Sequence, residues 1–204
     1  MRRVSFGTIV LLGATLLGCG GKGPDSSGPM IPPPPSPLPV FKCSDSPPQP
    51  DQIVMRCGVR LKPDTWQIDV VIGAHAASDI GGFAFELLID QTILRYVSGS
   101  AQSGSLLFQG GYDPLISVGP APGDPGRLVV GIYRTGGAPG VAVVPGMFDR
   151  VMSFRVQVLP ATQFIPVRDH LLFDTTRSVA IDSTDSQNTI PSITFGNELL
   201  LSFQ

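Results

Sequence analysis

Charge is scarce in this chain: Asp, Glu, Lys and Arg together make up only 15% of the residues, and the formal net charge is −2. A field that weak gives no electrostatic reason to expect nucleic acid or anionic lipid as a partner. Helical signals are missing too, with no stretch combining caps and a 3.6-residue apolar period. Catalytic signatures are equally thin. The two histidines, His75 and His170, fall near expected strand ends, where a solvated ring is the ordinary role. The chain has no Gly-x-Ser-x-Gly elbow, no His-Glu-x-x-His and no phosphate loop. Its three cysteines form no Cys-x-x-Cys or Cys/His cluster, which argues against zinc. Glu86 and Asp69 fall on outward strand faces, as solvated charges rather than a glycosidase pair. No catalytic residue and no cofactor is expected.

What the chain has in quantity is glycine (24), proline (21) and apolar residues, 42% of its 204 residues. That mixture suits a turn-rich β-protein with an attached irregular segment. Residues 1–18 read as a signal peptide, with Arg2 and Arg3 as its basic start and Ile9 to Leu17 as an apolar run too short to span a bilayer. The run closes on Leu16-Leu17-Gly18-Cys19, which resembles the bacterial lipobox. The resemblance implies that Cys19 is lipid-modified and becomes the mature N-terminus. Gly20, rather than Asp, after it implies an outer-membrane address. Residues 19–50 are the lipidated cysteine and a linker of Gly, Ser and Pro, including Pro32-Pro33-Pro34-Pro35. Such a segment buries too little to offset its ordering entropy and is expected to be disordered. With Cys19 assigned to lipid, Cys43 and Cys57 remain as a disulfide pair suited to an exported protein.

From residue 51 to 204 the chain reads as one all-β domain. Phe83, Phe85, Leu87 and Ile89 share one face at period two, and Ala84, Glu86, Leu88 and Asp90 share the other. The same alternation marks Ile53–Arg60, Trp66–Ile72, Leu128–Ile132 and Met152–Val158, and Leu94–Val97 continues the pattern after Asp90. Shorter strands are expected at Ser105–Phe108, Leu115–Val118, Phe164–Val167, Leu171–Phe173, Ser192–Phe195 and Leu199–Phe203. Strands at this spacing predict a two-sheet sandwich. Phe85 and Phe154 should both be buried, from different strands.

Three stretches, Trp66–Gly73, Gly82–Val97 and Gly146–Val156, carry a resemblance to cohesins and related carbohydrate-binding modules. The chain departs from that pattern by having Ile89-Asp90-Gln91 where the family shows Tyr-Asp-Pro. The resemblance covers roughly residues 52–175 and implies a jelly-roll sandwich of about nine strands without an active site. Cohesins bind dockerin modules through one sheet face, and related modules bind polysaccharide. No dockerin-contact motif here is distinct enough to assign binding residues.

Two constellations stand out as candidate sites. Asp182, Asp185 and Asn188 space oxygen ligands three apart, but their loop lacks the glycine and terminal glutamate of an EF-hand. A polar surface loop is the better reading. Trp66, Tyr96, Tyr112 and Tyr133 could form a sugar-stacking platform, although Trp66 is in register with Ile68 and Val70 and fits core packing. The expectation is therefore a lipid-anchored, non-catalytic envelope module that binds a protein partner through a sheet face. Polysaccharide binding and a purely structural role are the alternatives.

Overall fold

A strand with an aromatic face on one side needs a second layer to cover it, and β4 (His75–Ile89) organises the molecule around that need. The computed structural model describes residues 40–160, 170–185 and 188–203. The signal peptide, Cys19, the linker up to residue 39 and the expected strand at Phe164–Val167 lie outside them.

In chain order the strands are β1 (Phe41–Ser44), β2 (Gln52–Lys62), β3 (Thr65–Ile72), β4, β5 (Leu94–Tyr96), β6 (Gln102–Ser103), β7 (Pro114–Ala121) and β8 (Asp124–Arg134). They continue with β9 (Val141–Val143), β10 (Asp149–Val158), β11 (Leu171–Phe173), β12 (Val179–Asp182), β13 (Thr194–Gly196) and β14 (Leu200–Phe203). Among the described residues there is no α-helix, only two short 3₁₀ turns. One sheet runs β13-β2-β3-β10-β5, with β6 also on β10. The other runs β11-β4-β8-β7, with β12 and β9 also on β4. β1 and β14 form a separate antiparallel pair. Collinear segments share rows, so the two large sheets amount to about nine rows of a sandwich.

The core lies between these sheets. Phe83, Phe85 and Leu87 of β4 and Met55, Ile68, Val70 and Phe154 of the opposite sheet are each at most 1% exposed. Phe85 meets Phe173 edge-on at 5.4 Å and Phe195 at 5.9 Å between ring centroids, so β4, β11 and β13 share one aromatic knot. Buried aromatic pairs of this kind add about 0.5–1.5 kcal/mol beyond their area.

Two expectations change. The folded module begins ahead of residue 51. β1 lies within the segment read as linker, where Phe41 packs against Trp66 and Cys43 is bonded to Cys57. Asp45 then accepts the Cys57 backbone N–H at 2.6 Å. Proline flanks hide the strand from composition, yet one phenylalanine and a cross-link suffice to dock it. Ser105–Phe108 is a turn rather than a strand. Leu106 and Leu107 are both fully buried, which consecutive residues of a half-covered strand cannot achieve because they face opposite sides.

Candidate functional site

The outward face of the β7-β8-β4-β12 sheet follows from the strand register. Because β4 turns Phe83, Phe85 and Leu87 inward, Gly82, Ala84, Glu86 and Leu88 must face out. Across β8 they stand opposite Tyr133, Gly131, Val129 and Arg127. β7 adds Leu115, Ser117 and Gly119 opposite Tyr133, Gly131 and Val129. β12 adds Val179 beside Ala84 and Ile181 beside Gly82. Leu115 is 51% exposed, Tyr133 43%, Val129 42% and Val179 38%. A Cβ built on Gly119 or Gly131 would meet none of the described residues within 4 Å, so none of them covers the middle of this face. The result is a flat strip of small and aliphatic residues.

Charge gathers at one end of the strip. Arg127 donates to Glu86 and to Asp174, the latter at 2.8 Å, and Arg177 reaches Glu86 at 3.4 Å. Hydrogen bonds from Thr176 and then Arg127 hold the Asp174 carboxyl down at about 2. The Arg127 hydrogen bond likewise lowers Glu86, against the opposing pull of desolvation, while its carboxylate partners raise Arg127 itself. Glu86 is thus the hub of an ion-pair network rather than a plain solvated charge. Asp69, on the other sheet, is also engaged, by Gln67 at 2.8 Å and Arg150 at 3.7 Å.

At the opposite end lies a cavity of about 410 Å³ lined by residues that include Tyr133, Arg134, Ile181, Asp182 and Ser183. Arg134 donates to the Gln109 carbonyl at 2.6 Å and lies 4.9 Å over the Tyr112 ring. The four aromatics singled out in the sequence do not form a platform. Trp66 packs on Phe41 and Tyr96 against Phe154, both on the other sheet.

The loop at Asp182, Asp185 and Asn188 is closed by its own hydrogen bonds. Asp182 accepts from the Thr184 N–H and hydroxyl, the Asn188 carbonyl accepts from Asp182, and its N–H donates to the Asp185 carbonyl. Among the described residues no group of three or more His, Cys, Asp and Glu could hold a metal ion.

Both histidines depart from expectation. His75 and His170 are each 5% exposed, and both have acidic partners: Asp51 and Asp79 for His75, Asp90 for His170. Partners 24 and 80 positions away in sequence for Asp51 and Asp90 leave no local signal.

No protein-family model and no curated protein matches the chain. Solved structures do. A type II cohesin, A11 from Bacteroides cellulosolvens, aligns at 14% identity over 73% of this chain and 97% of its own, with a TM-score of 0.53. The second type II cohesin module of the adaptor ScaA scaffoldin of Acetivibrio cellulolyticus gives 16% identity, 71% and 85% coverage and a TM-score of 0.52. The sixth cohesin of scaffoldin B from the same organism, solved in complex with a Cel5 dockerin mutant, gives 13% identity, 72% and 95% coverage and a TM-score of 0.52. The chain has the cohesin fold.

Proposed function

We propose that this protein is a non-catalytic adhesion module that holds a protein partner on the outward face of the β7-β8-β4-β12 sheet. A dockerin-like module is the partner class, supported by the likeness to cohesins solved with dockerins. The observation that carries the reading is the strip itself: Leu115, Val129, Tyr133 and Val179 stand exposed around two uncovered glycines. Apolar residues grouped in this way, rimmed by charge at one end, suit a protein interface with a dry centre and a polar rim.

The module is exported and anchored in the outer membrane through lipid on Cys19. The lipobox-like run and the disulfide, which persists in oxidising compartments, support that address. Cys19→Ala should free the protein from the membrane fraction or block its processing. Retention with unchanged processing would refute the anchor.

The cavity beside Tyr133, with Arg134, Asp182 and Ser183 on its walls, favours a second reading in which the same edge of the face takes a sugar ring. Calorimetric titration against a panel of dockerin modules and soluble polysaccharides separates the two. Saturable dockerin binding that is lost in Val129→Asp and kept in Arg155→Asp is the expected result. Polysaccharide binding that depends on Tyr133, with no dockerin bound, would overturn it.

A further inference from the structure

His75 opens β4 and its side chain is only 6% exposed, yet both ring nitrogens meet carboxylates. Nδ1 lies 2.6 Å from Asp51 Oδ1, and Nε2 lies 2.7 Å from Asp79 Oδ1. A neutral imidazole has one N–H and one lone pair, and a lone pair turned toward a carboxylate oxygen at such a distance is repelled. Both contacts are favourable together only when the ring is protonated and donates twice.

The two carboxylates come from different places. Asp51 stands just before β2 in one sheet, and Asp79 sits on β4 in the other. Asp51 adopts a φ of 57°, in the left-handed region that aspartate and asparagine enter more readily than other non-glycine residues. Its N–H donates to the Ala74 carbonyl and its own carbonyl accepts from Thr194, both at 2.9 Å.

Among the described residues, Asp51 and Asp79 are the charges that act on the ring. β9, which pairs with His75 through Val143, carries only Val141, Ala142 and Val143, and β13 carries Thr194, Phe195 and Gly196. Asp182 of β12, opposite Ile80, accepts from Thr184 instead. Burial opposes the charged ring, but the hydrogen bonds it donates to Asp51 and Asp79, and then their charges, outweigh it.

We propose that His75 is an imidazolium staple that ties the two sheets together where β3 crosses to β4, and that it releases them as it loses its proton. The staple also touches the edge of the candidate face. The Asp79 carbonyl accepts the Ser183 N–H at 2.7 Å, and Ser183 lines the cavity beside Tyr133. The folded-state pKa lies above the ordinary imidazole value of 6.5. Its stabilisation is therefore complete below that value and disappears as pH rises through the higher folded one.

Nitrogen-15 NMR of the histidine side chains in the full chain, titrated from about pH 5 to about pH 9, tests this directly. The expected result is a His75 ring with both nitrogens protonated and a midpoint above 6.5. Asp79→Asn should lower that midpoint, and Ser183 amide exchange in the wild type should accelerate once pH passes it. A midpoint at or below 6.5, or a single neutral tautomer at about pH 6, overturns the proposal. Urea unfolding supplies a second readout. The wild-type midpoint should fall between about pH 6 and about pH 9, and His75→Gln should lack that fall. Should His75→Gln fail to fold, Asp51→Asn takes its place, since asparagine tolerates the same backbone. Equal pH dependence in wild type and variant also overturns the staple.

Discussion

The outward faces of the two sheets are built by the same alternation and come out opposite in character. On the β2-β3-β10 side, polar side chains satisfy one another: Gln67 with Asp69, Asp69 with Arg150, and Arg56 with Asp45. Gln157 closes the set by donating to Asp64 at 2.9 Å. On the β7-β8-β4-β12 side the central residues are glycine, valine, leucine and tyrosine, and the ion pairs gather at the end around Arg127. A face whose polar groups are already paired gains little from a partner, because new contacts must replace old ones. An uncovered aliphatic strip gains from every Å² a partner removes from water. The difference marks the middle of one face as finished by its own pairs and the other as left open, the exposed Val59 and Leu61 lying towards the end of β2.

The comparison rests on a shared inner layer, and its removal gives the largest effect. Phe85 and Phe154 face each other's sheets at 1% and 0% exposure. Truncating either to alanine should cost on the order of 3–5 kcal/mol in urea unfolding. A loss below about 1 kcal/mol at both sites would mean that the inner layer is not where the structure puts it.

Next in size is the cross-link on the finished side. Cys43 and Cys57 are separated by 14 positions. Replacing both with serine should lower stability by about 3 kcal/mol on the chain-entropy account, measured against wild type without reductant. An unchanged unfolding midpoint would show that β1 docks without its bond.

Binding sharpens the comparison most directly. Val129→Asp or Tyr133→Asp should weaken the partner by about 30-fold or more, as expected when a charge enters the dry centre of an interface. Arg155→Asp, on the other sheet's outward face, should leave affinity unchanged. Equal losses from both faces would erase the distinction.

The ionic end of the open face titrates in a defined direction. Asp174 is held at about 2, against 3.8 for an ordinary aspartate. A depressed carboxyl stabilises the fold above its unfolded value, and that contribution is lost as pH falls through the folded one. Thermal unfolding of wild type should therefore weaken between about pH 4 and about pH 2 more than that of Asp174→Asn. Identical acid profiles would show that the network does not contribute. The smallest effect belongs to Arg155→Ala, an exposed site expected to shift stability by less than about 0.5 kcal/mol.

How much of this was legible beforehand depends on the range of each interaction. The inward set of β4 and the burial of Phe154 could be read directly, because period-two alternation is local and a one-residue slip would reverse it. The backward extension of β4 to His75 could not, since Ala76, Ala77 and Gly81 blur the alternation. β9 and β12 were missed because their three or four residues lie among turn-forming neighbours, Gly140 and Pro145 around β9 and Ser178 and Ser183 around β12. Tyr133 was legible as a candidate sugar-stacking aromatic, but not as one end of a strip, because Leu115, Val129 and Val179 join it only through pairing. The candidate calcium loop was visible as a spacing of oxygens, while its Thr184 and backbone partners were not.

The sequence by itself determined the all-β class, the two apolar inner faces and the pairing of Cys43 with Cys57. The first two follow from local alternation, and the pairing from a count of three thiols with Cys19 set aside by its lipobox-like run. Tertiary structure alone decided that β1 joins the domain, that the other described residues leave the outward side of β7, β8, β4 and β12 uncovered, and that His75 lies between Asp51 and Asp79. Each of these depends on residues far apart in the chain arriving within a few ångströms. Strand order and sheet packing govern that meeting, and no local pattern records it.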